Sequence, residues 1–391
     1  MARRLWDLMT MQAGLDAGTS RPISRYRRGV LACAGCCQAG PLAFSATGVP
    51  ATKKAPKRKP GNANETAAAA AKPHRIDVHH HIVPPRYVTD MGLKWVNRHN
   101  APLPLHGPLE WTPERSLAEM DRNGVATAIT SLSDPGVWTG DVARSRSVAR
   151  YCNDYAAQLA RDYPGRFGVF ASLALPDIEG SLREIEYAFD VLGADGIVLM
   201  TSYGDIWPGD AAFAPVFDEL NRRKAVVYFH PTAAPCCEGL IPDVADAVIE
   251  FLFDTVRAVT SLLYSGTLSR CSDIRYIFSH AGSAVPLLAG RISRLARITE
   301  AVNPRLPNGA MHELQKLYFD VAQQASPEGL APLMTLVSAD QVLFGSDYPW
   351  APPGMMAQTV AGLAAFGFQP PELLAIERGN ALRLFPRFAR A

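Results

Sequence analysis

From Arg75 onward, short runs of consecutive apolar residues alternate with longer stretches in which apolar positions recur every three or four residues. The short runs predict strands at Arg75 to Val78, Thr127 to Leu132, Phe167 to Ala171, Gly196 to Leu199, Val226 to His230, Tyr276 to His280, Leu317 to Val321 and Val342 to Ser346. Strands this uniformly apolar are buried on both faces, which requires helices outside them. The intervening stretches supply those helices at Pro113 to Asn123, Asp141 to Arg161, Ile178 to Leu192, Ala211 to Arg223, Val244 to Tyr264, Ala284 to Ala301, Pro327 to Ser338 and Gly354 to Phe366. The first carries clear end signals, with Thr112 as cap, Pro113 in the first turn and Gly124 just beyond. Eight strand-helix units predict an α/β fold of the (β/α)8 TIM-barrel type. A doubly wound sheet is the alternative, but it usually has a glycine-rich phosphate turn after its first strand, and here that place holds histidines. Arg86 to Trp111, rich in proline and aromatic residues, forms a short insertion after strand one, placed to roof the barrel mouth.

A barrel of this kind carries its chemistry at the C-terminal ends of its strands. Strand one runs into His79-His80-His81, and in extended backbone His79 and His81 share one face while His80 points to the other. Two neutral imidazoles on a rigid strand suit zinc or a divalent neighbour. His230 ends strand five, His280 strand six and Asp347 strand eight. A lone histidine or aspartate at such a place is commonly structural or a helix cap, but five on one rim make a constellation. Tyr203 and Trp207 follow strand four, and Trp350 follows Asp347, so these aromatic side chains either sandwich a flat ring or fill the loops. His99 and His106, inside the insertion, are not read as ligands.

Composition narrows the picture. The 391 residues, 48% hydrophobic, suffice for a large core. The net charge of +2 hides an asymmetry, because eleven Lys and Arg lie between Arg3 and Lys59 and the remainder is neutral to acidic. With no basic stripe interleaved with aromatics, nucleic acid is not an expected partner. No run of eighteen apolar residues follows the leader, so no membrane span is expected. Residues 1–51 read as a leader: Arg27-Arg28-Gly29-Val30-Leu31 opens an uncharged stretch to Val49, and Val49-Pro50-Ala51 offers small residues to a peptidase. This resembles a twin-arginine export signal and implies a periplasmic or exported protein. An unprocessed tail or a misassigned start codon is the alternative, and implies a cytoplasmic one. Residues 52–73, with an alanine run at Ala67 to Ala71, read as a disordered linker, leaving 74–388 as the barrel domain. Cys152, Cys236, Cys237 and Cys271 lie in that body and read as free thiols, since the neighbours Cys236 and Cys237 can hardly bridge each other without strain.

The segments Asp77-Val78-His79-His80-His81-Ile82-Val83-Pro84-Pro85, Phe229-His230-Pro231-Thr232, Ser279-His280-Ala281-Gly282 and Phe344-Gly345-Ser346-Asp347-Tyr348-Pro349 resemble the amidohydrolase superfamily. Within it they look like the branch of 2-amino-3-carboxymuconate 6-semialdehyde decarboxylase, and are similar to 6-methylsalicylate and gamma-resorcylate decarboxylases. The likeness runs from about Arg75 to Pro386. It implies an amidohydrolase-type barrel with one divalent ion, zinc first and manganese second, held by His79, His81, His230 and Asp347. His280 would stand beside the ion. No lysine ends strand four, where Ile197 to Thr201 runs on, so the carbamylated bridge of binuclear relatives is absent. The implied activity is non-oxidative decarboxylation of a small hydroxyaryl or enoic carboxylic acid, with hydrolysis of a lactone or related molecule as the alternative. Arg291 resembles in position an arginine that reaches into a neighbouring subunit's site to bind substrate carboxylate, which implies a homodimer. Its recurrence with Arg294 and Arg297 also fits a solvated helix face.

The chemistry follows from these parts. Loss of carbon dioxide needs a sink for the released electrons, and protonating the carboxyl-bearing carbon first creates one. Asp347, or a water relayed by His280, is placed to manage that proton while the metal orients the acid. A carboxylate beside a cation stays ionised, so Asp347 must take its proton during the cycle. A metal-carrying receptor, the third reading, has no need of such a pair.

Overall fold

Each strand of the sheet pairs in parallel with its neighbour in sequence, in the order one to eight. The computed structural model describes residues 74–103 and 106–390. The expected leader and linker lie outside the described residues. The strands are β1 Arg75–His81, β2 Val125–Ser131, β3 Phe167–Ser172, β4 Gly196–Met200, β5 Val226–His230, β6 Arg275–Phe278, β7 Tyr318–Asp320 and β8 Val342–Leu343. The principal outer helices are α1 Pro113–Arg122, α2 Val142–Asp162, α3 Ile178–Tyr187, α4 Ala214–Arg222, α5 Asp246–Tyr264, α6 Val285–Ile298, α7 Pro327–Leu336 and α8 Met355–Phe366. Every residue of β3, β4 and β5 is buried, as apolar runs covered on both faces demand. The predicted cap of α1 is present, with Thr112 Oγ1 accepting from Arg115 N at 3.2 Å. Asp141 caps α2 in the same way, accepting from Arg144 N at 2.7 Å.

Barrel closure departs from the expected pattern. Only Val342 and Leu343 are ladder residues of β8, where a strand to Ser346 was expected. The chain nevertheless continues along β1: Val78 N donates to Phe344 O at 3.0 Å, and Asp347 N donates to His79 O at 2.7 Å. Beyond Leu343 the backbone leaves β7, Phe344 N donating to Ile376 O at 3.1 Å, and Asp347 then turns into the left-handed region at φ 60°. Strand six likewise ends at Phe278, and His280 sits in a tight turn at φ 53°. The helix expected to reach Leu192 is α-helical only to Tyr187 and continues as a π-turn over Ala188–Leu192.

Short helices after α8 close the opposite end of the barrel. Glu377 there takes His74 Nε2 at 2.7 Å and Arg75 Nε at 2.8 Å, fastening the start of β1. At the mouth, the insertion forms helical turns at Tyr87–Met91, Leu93–Val96 and His106–Leu109. Gly107 meets the loop after β8 so closely that a Cβ there would lie 2.7 Å from Pro349 O. Buried His99 secures the same insertion, facing Asp134 Oδ2 at 2.9 Å and Glu238 Oε1 at 3.1 Å. No helix among the described residues is long and apolar enough to cross a membrane.

Candidate metal centre and active site

The alternation of β1 sends His79 and His81 inward, with their Nε2 atoms 3.1 Å apart. Asp347 Oδ1 lies 3.2 Å from each of them. The His230 ring, at the end of β5, comes within 5.4 and 4.8 Å of the His79 and His81 rings, centre to centre. One ligand atom from each of these four buried residues falls within 4.8 Å of the others. His80 faces away, with Nδ1 3.0 Å from Asp77 Oδ2 and Nε2 2.6 Å from Ser116 Oγ.

The second nitrogen of each inward imidazole is already committed. His79 Nδ1 lies 3.1 Å from Asp320 Oδ2, His81 Nδ1 3.1 Å from Ser131 Oγ, and His230 Nδ1 2.8 Å from Pro231 O. Those partners place a proton on Nδ1 and leave the Nε2 lone pairs turned to a common point. Asp347 Oδ1 is buried there and receives no hydrogen bond. Three imidazole lone pairs and an orphaned carboxylate oxygen are a suitable donor set for one divalent cation, so the residues fit a mononuclear metal site. Charge agrees. Burial opposes a proton on His79, but Asp320 and Asp347 outweigh it and hold that imidazole at about 10, so its Nε2 carries positive charge either as a proton or by giving its lone pair to a cation, whereas burial takes His81 down to about 4. Burial also lowers His230 and His280. For Asp347, burial favours the neutral acid, yet His79 and the hydrogen bonds of His79 and His81 hold it well below the usual carboxylate range. The pocket therefore favours positive charge at its centre.

His280 stands beside this group. Its ring centre is 4.9 Å from that of His79, and its Nδ1 donates to Ala322 O at 2.9 Å. The turn that presents it runs through positive φ at His280, Ala281, Gly282 and Ser283. A left-handed conformation costs a residue other than glycine about 1–2 kcal/mol, so rigid surroundings must hold this turn. Asp320 is much of that support. Its Oδ1 accepts from His280 N at 3.2 Å and Ala322 N at 2.9 Å, and its Oδ2 accepts from Tyr228 OH at 3.0 Å as well as facing His79. Asp320 was not among the sequence candidates, although it ends a strand whose position was read correctly. Asp77, also missed, accepts from His79 N at 3.0 Å and Ser346 Oγ at 2.5 Å, joining the first ligand strand to the last.

The rim aromatics divide. Tyr203 folds back, its OH accepting from Met200 N at 3.0 Å and its ring lying against Phe213. Trp207 donates Nε1 to Asp254 Oδ1 at 2.8 Å, and the fully buried Asp254 also takes Thr201 Oγ1 at 2.6 Å and Ser202 Oγ at 2.8 Å. No sequence signal marked Asp254 except an acid within the apolar stripe of α5. Trp350 Nε1 is buried without a hydrogen-bond partner. Arg291 is exposed on α6, away from the four ligands in sequence and element, and forms no ion pair among the described residues.

The amidohydrolase family profile matches residues 76–387, and the chain belongs to that family. It is 39% identical over 332 residues to the decarboxylase yanB of Aspergillus niger, covering 80% of this chain and 88% of that protein. It is 32% identical over 317 residues to the 6-methylsalicylic acid decarboxylase of Penicillium expansum, covering 80% of this chain and 96% of that one. Among solved structures, an amidohydrolase II superposes with a TM-score of 0.72 at 29% identity, covering 80% of this chain and 99% of the other. The 5-carboxyvanillate decarboxylase of Novosphingobium aromaticivorans, complexed with manganese and a nitrobenzoic acid, superposes at 0.70 with 22% identity, covering 80% and 96%. Within its family the chain is a metal-dependent carboxy-lyase.

Proposed function

We propose that the enzyme decarboxylates a small ortho-hydroxyaryl carboxylic acid of the 6-methylsalicylate kind. The observation that carries this reading is the convergence of three Nε2 lone pairs and Asp347 Oδ1 on one buried point with His280 alongside. The relative named for 6-methylsalicylic acid supports the substrate class. A divalent cation bound there supplies positive charge that orients an acidic oxygen and stabilises charge developing on it. The shell suits zinc and manganese alike, and the 5-carboxyvanillate decarboxylase structure carries manganese, so both ions belong in the assay.

Asp347 enters the cycle ionised, accepts the substrate's hydroxyl proton, and returns it to the ring carbon that bears the carboxylate. The carbon-carbon bond then breaks, its electron pair restores the aromatic ring, and carbon dioxide leaves. His280, with Nδ1 spent on Ala322 O, keeps Nε2 for a substrate oxygen or a relayed water. Trp350 Nε1 is a free donor for a substrate oxygen, and Trp207, fixed by Asp254, forms a wall for the ring. Tyr203, its OH accepting from Met200 N and its backbone N donating to Ile206 O, fixes the loop that carries Trp207. Arg291 binds substrate carboxylate in the site of a second copy; the exposure of Leu287 and Ile298 on the same helix supports a homodimer seated there.

The test is carbon dioxide release from the metal-loaded enzyme across a panel of salicylate-like acids. Release is expected from at least one, and lactone opening with no release from any would sink the proposal. His280→Ala should keep its metal and lose about two to four orders of magnitude in turnover. Arg291→Ala should raise KM for the acid at unchanged metal content. A kinetically silent Arg291→Ala would return that residue to the solvated face.

A further inference from the structure

The 3-10 turn Pro235–Cys237 follows β5 at the barrel mouth and carries two adjacent thiols that the decarboxylation chemistry leaves unused. Both are free, Cys236 exposed and Cys237 half-buried, and their Sγ atoms lie 2.8 Å apart. Neighbouring cysteines need not converge in this way, and here both side chains turn to the same side of the turn. The outer wall of the pair is charged. Arg257 of α5 places Nη2 3.5 Å from Cys237 Sγ, and its buried Nη1 has no hydrogen-bond partner, with Asp254 Oδ1 at 3.9 Å.

Geometry separates the chemistries open to such a pair. Consecutive Cα atoms sit about 3.8 Å apart, below the usual span of a relaxed disulfide, roughly 4.4–6.8 Å. A direct sulfur-sulfur bond is therefore strained, and inserting one atom between the sulfurs relieves that strain. Cys237 also differs from the thiols of redox sensors, which are acidic. The hydrogen bond with Cys236 and some desolvation push Cys237 up to about 11, so it is protonated at neutral pH.

We propose that Cys236 and Cys237 form a binding site for a soft, thiophilic centre bridged by both sulfurs, with trivalent organoarsenicals as its ligand class. The step is a condensation. An arsenic oxide, R–As=O, reacts with two S–H groups to give two As–S bonds, and the two protons leave with the oxide oxygen as one water. Arsenic stays trivalent and no oxidant is needed. Soft thiolates prefer such centres over the hard or borderline ions suited to the imidazole and carboxylate site, so the two sites do not compete. Occupation also displaces Arg257 from Cys237, next to the carboxylate that fixes Trp207, so the bridged form should be less active.

The experiment uses phenylarsine oxide on the full metal-loaded chain. Because the sequence holds a second adjacent pair, Cys36-Cys37, with Cys33 nearby, the parent protein carries Cys33→Ser, Cys36→Ser and Cys37→Ser. Intact mass should show one phenylarsenic unit per chain, resistant to a monothiol and removed by a dithiol such as 2,3-dimercaptopropanol. Loss of two-point attachment in Cys236→Ser or Cys237→Ser should weaken retention about 100-fold or more. The buried Cys152 and Cys271 remain in both variants as internal controls. An adduct that survives either substitution, an adduct that a monothiol strips as readily as a dithiol, or no adduct at all would overturn the proposal. The mass readout is independent of which acid the enzyme decarboxylates.

Discussion

The three histidines of β1 are chemically identical and structurally opposed, and their substitutions should separate accordingly. His79→Ala and Asp347→Ala are each expected to lose bound metal together with activity, since each removes one of four converging donors. His80→Ala should keep most of its metal, because its ring hydrogen-bonds Asp77 and Ser116 on the other face. Its cost falls instead on stability, about 1–3 kcal/mol for a buried carboxylate and hydroxyl deprived of their partner, measured as an earlier denaturant midpoint. Metal content by elemental analysis decides between the two behaviours, and equal loss from all three variants would defeat the argument from strand alternation. That opposition was legible in the sequence because a strand has a fixed period of two. Asp320 and Asp254 were not legible in the same way. An acid that orients a side chain from behind needs no spacing relative to it in the chain, only proximity created by the fold: Asp320 meets His79 from 241 positions away and Asp254 meets Trp207 from 47.

At the scale of elements, the insertion after β1 is held by a buried charge as well as by the apolar side chains of Tyr87, Met91, Val96 and Trp111. Burial opposes protonation of His99, but Asp134 outweighs it and raises the imidazole above its ordinary value, with Arg98 alongside counteracting in part. A histidine raised in the folded state contributes stability in full below its unfolded value of about 6.5 and loses it as pH climbs through the folded value. Amide hydrogen exchange in residues 86–103, corrected for intrinsic rate, should therefore quicken on the alkaline side. His99→Gln should exchange quickly at every pH, and a slope unchanged by that substitution would assign the effect to another group. The sequence marked this segment as a roof from its prolines and aromatics, and set His99 aside as no metal ligand. Its place as a fastening depended on Glu238, beyond β5, which no local pattern could bring near. Strand ends were the other weak point of the sequence reading. Apolar runs predicted β6 and β8 as longer than they are, because His280 enters left-handed backbone just past β6 and Phe344 N turns from the sheet to Ile376 O just past β8, and periodicity carries no information about either.

For the whole molecule, the eight-unit pattern was the most legible feature, since uniformly apolar strands alternating with amphipathic helices admit few other closed architectures. The metal acts at this scale as well, because its ligands lie on β1, β5 and the segment following β8. Stripping it with a chelator should lower the thermal midpoint, and restoring it at a free concentration about a thousandfold above Kd should return about 4 kcal/mol. A midpoint indifferent to the ion would mean that the barrel closes just as firmly without it. The closure between β1 and the continuation of β8 has a further consequence for synthesis. The first two donors emerge from the ribosome near the beginning of the barrel and the carboxylate only near its end, so an interrupted chain presents imidazoles but never the complete shell. Metal retention thereby distinguishes finished molecules from fragments, and prematurely terminated products should be recovered without the ion.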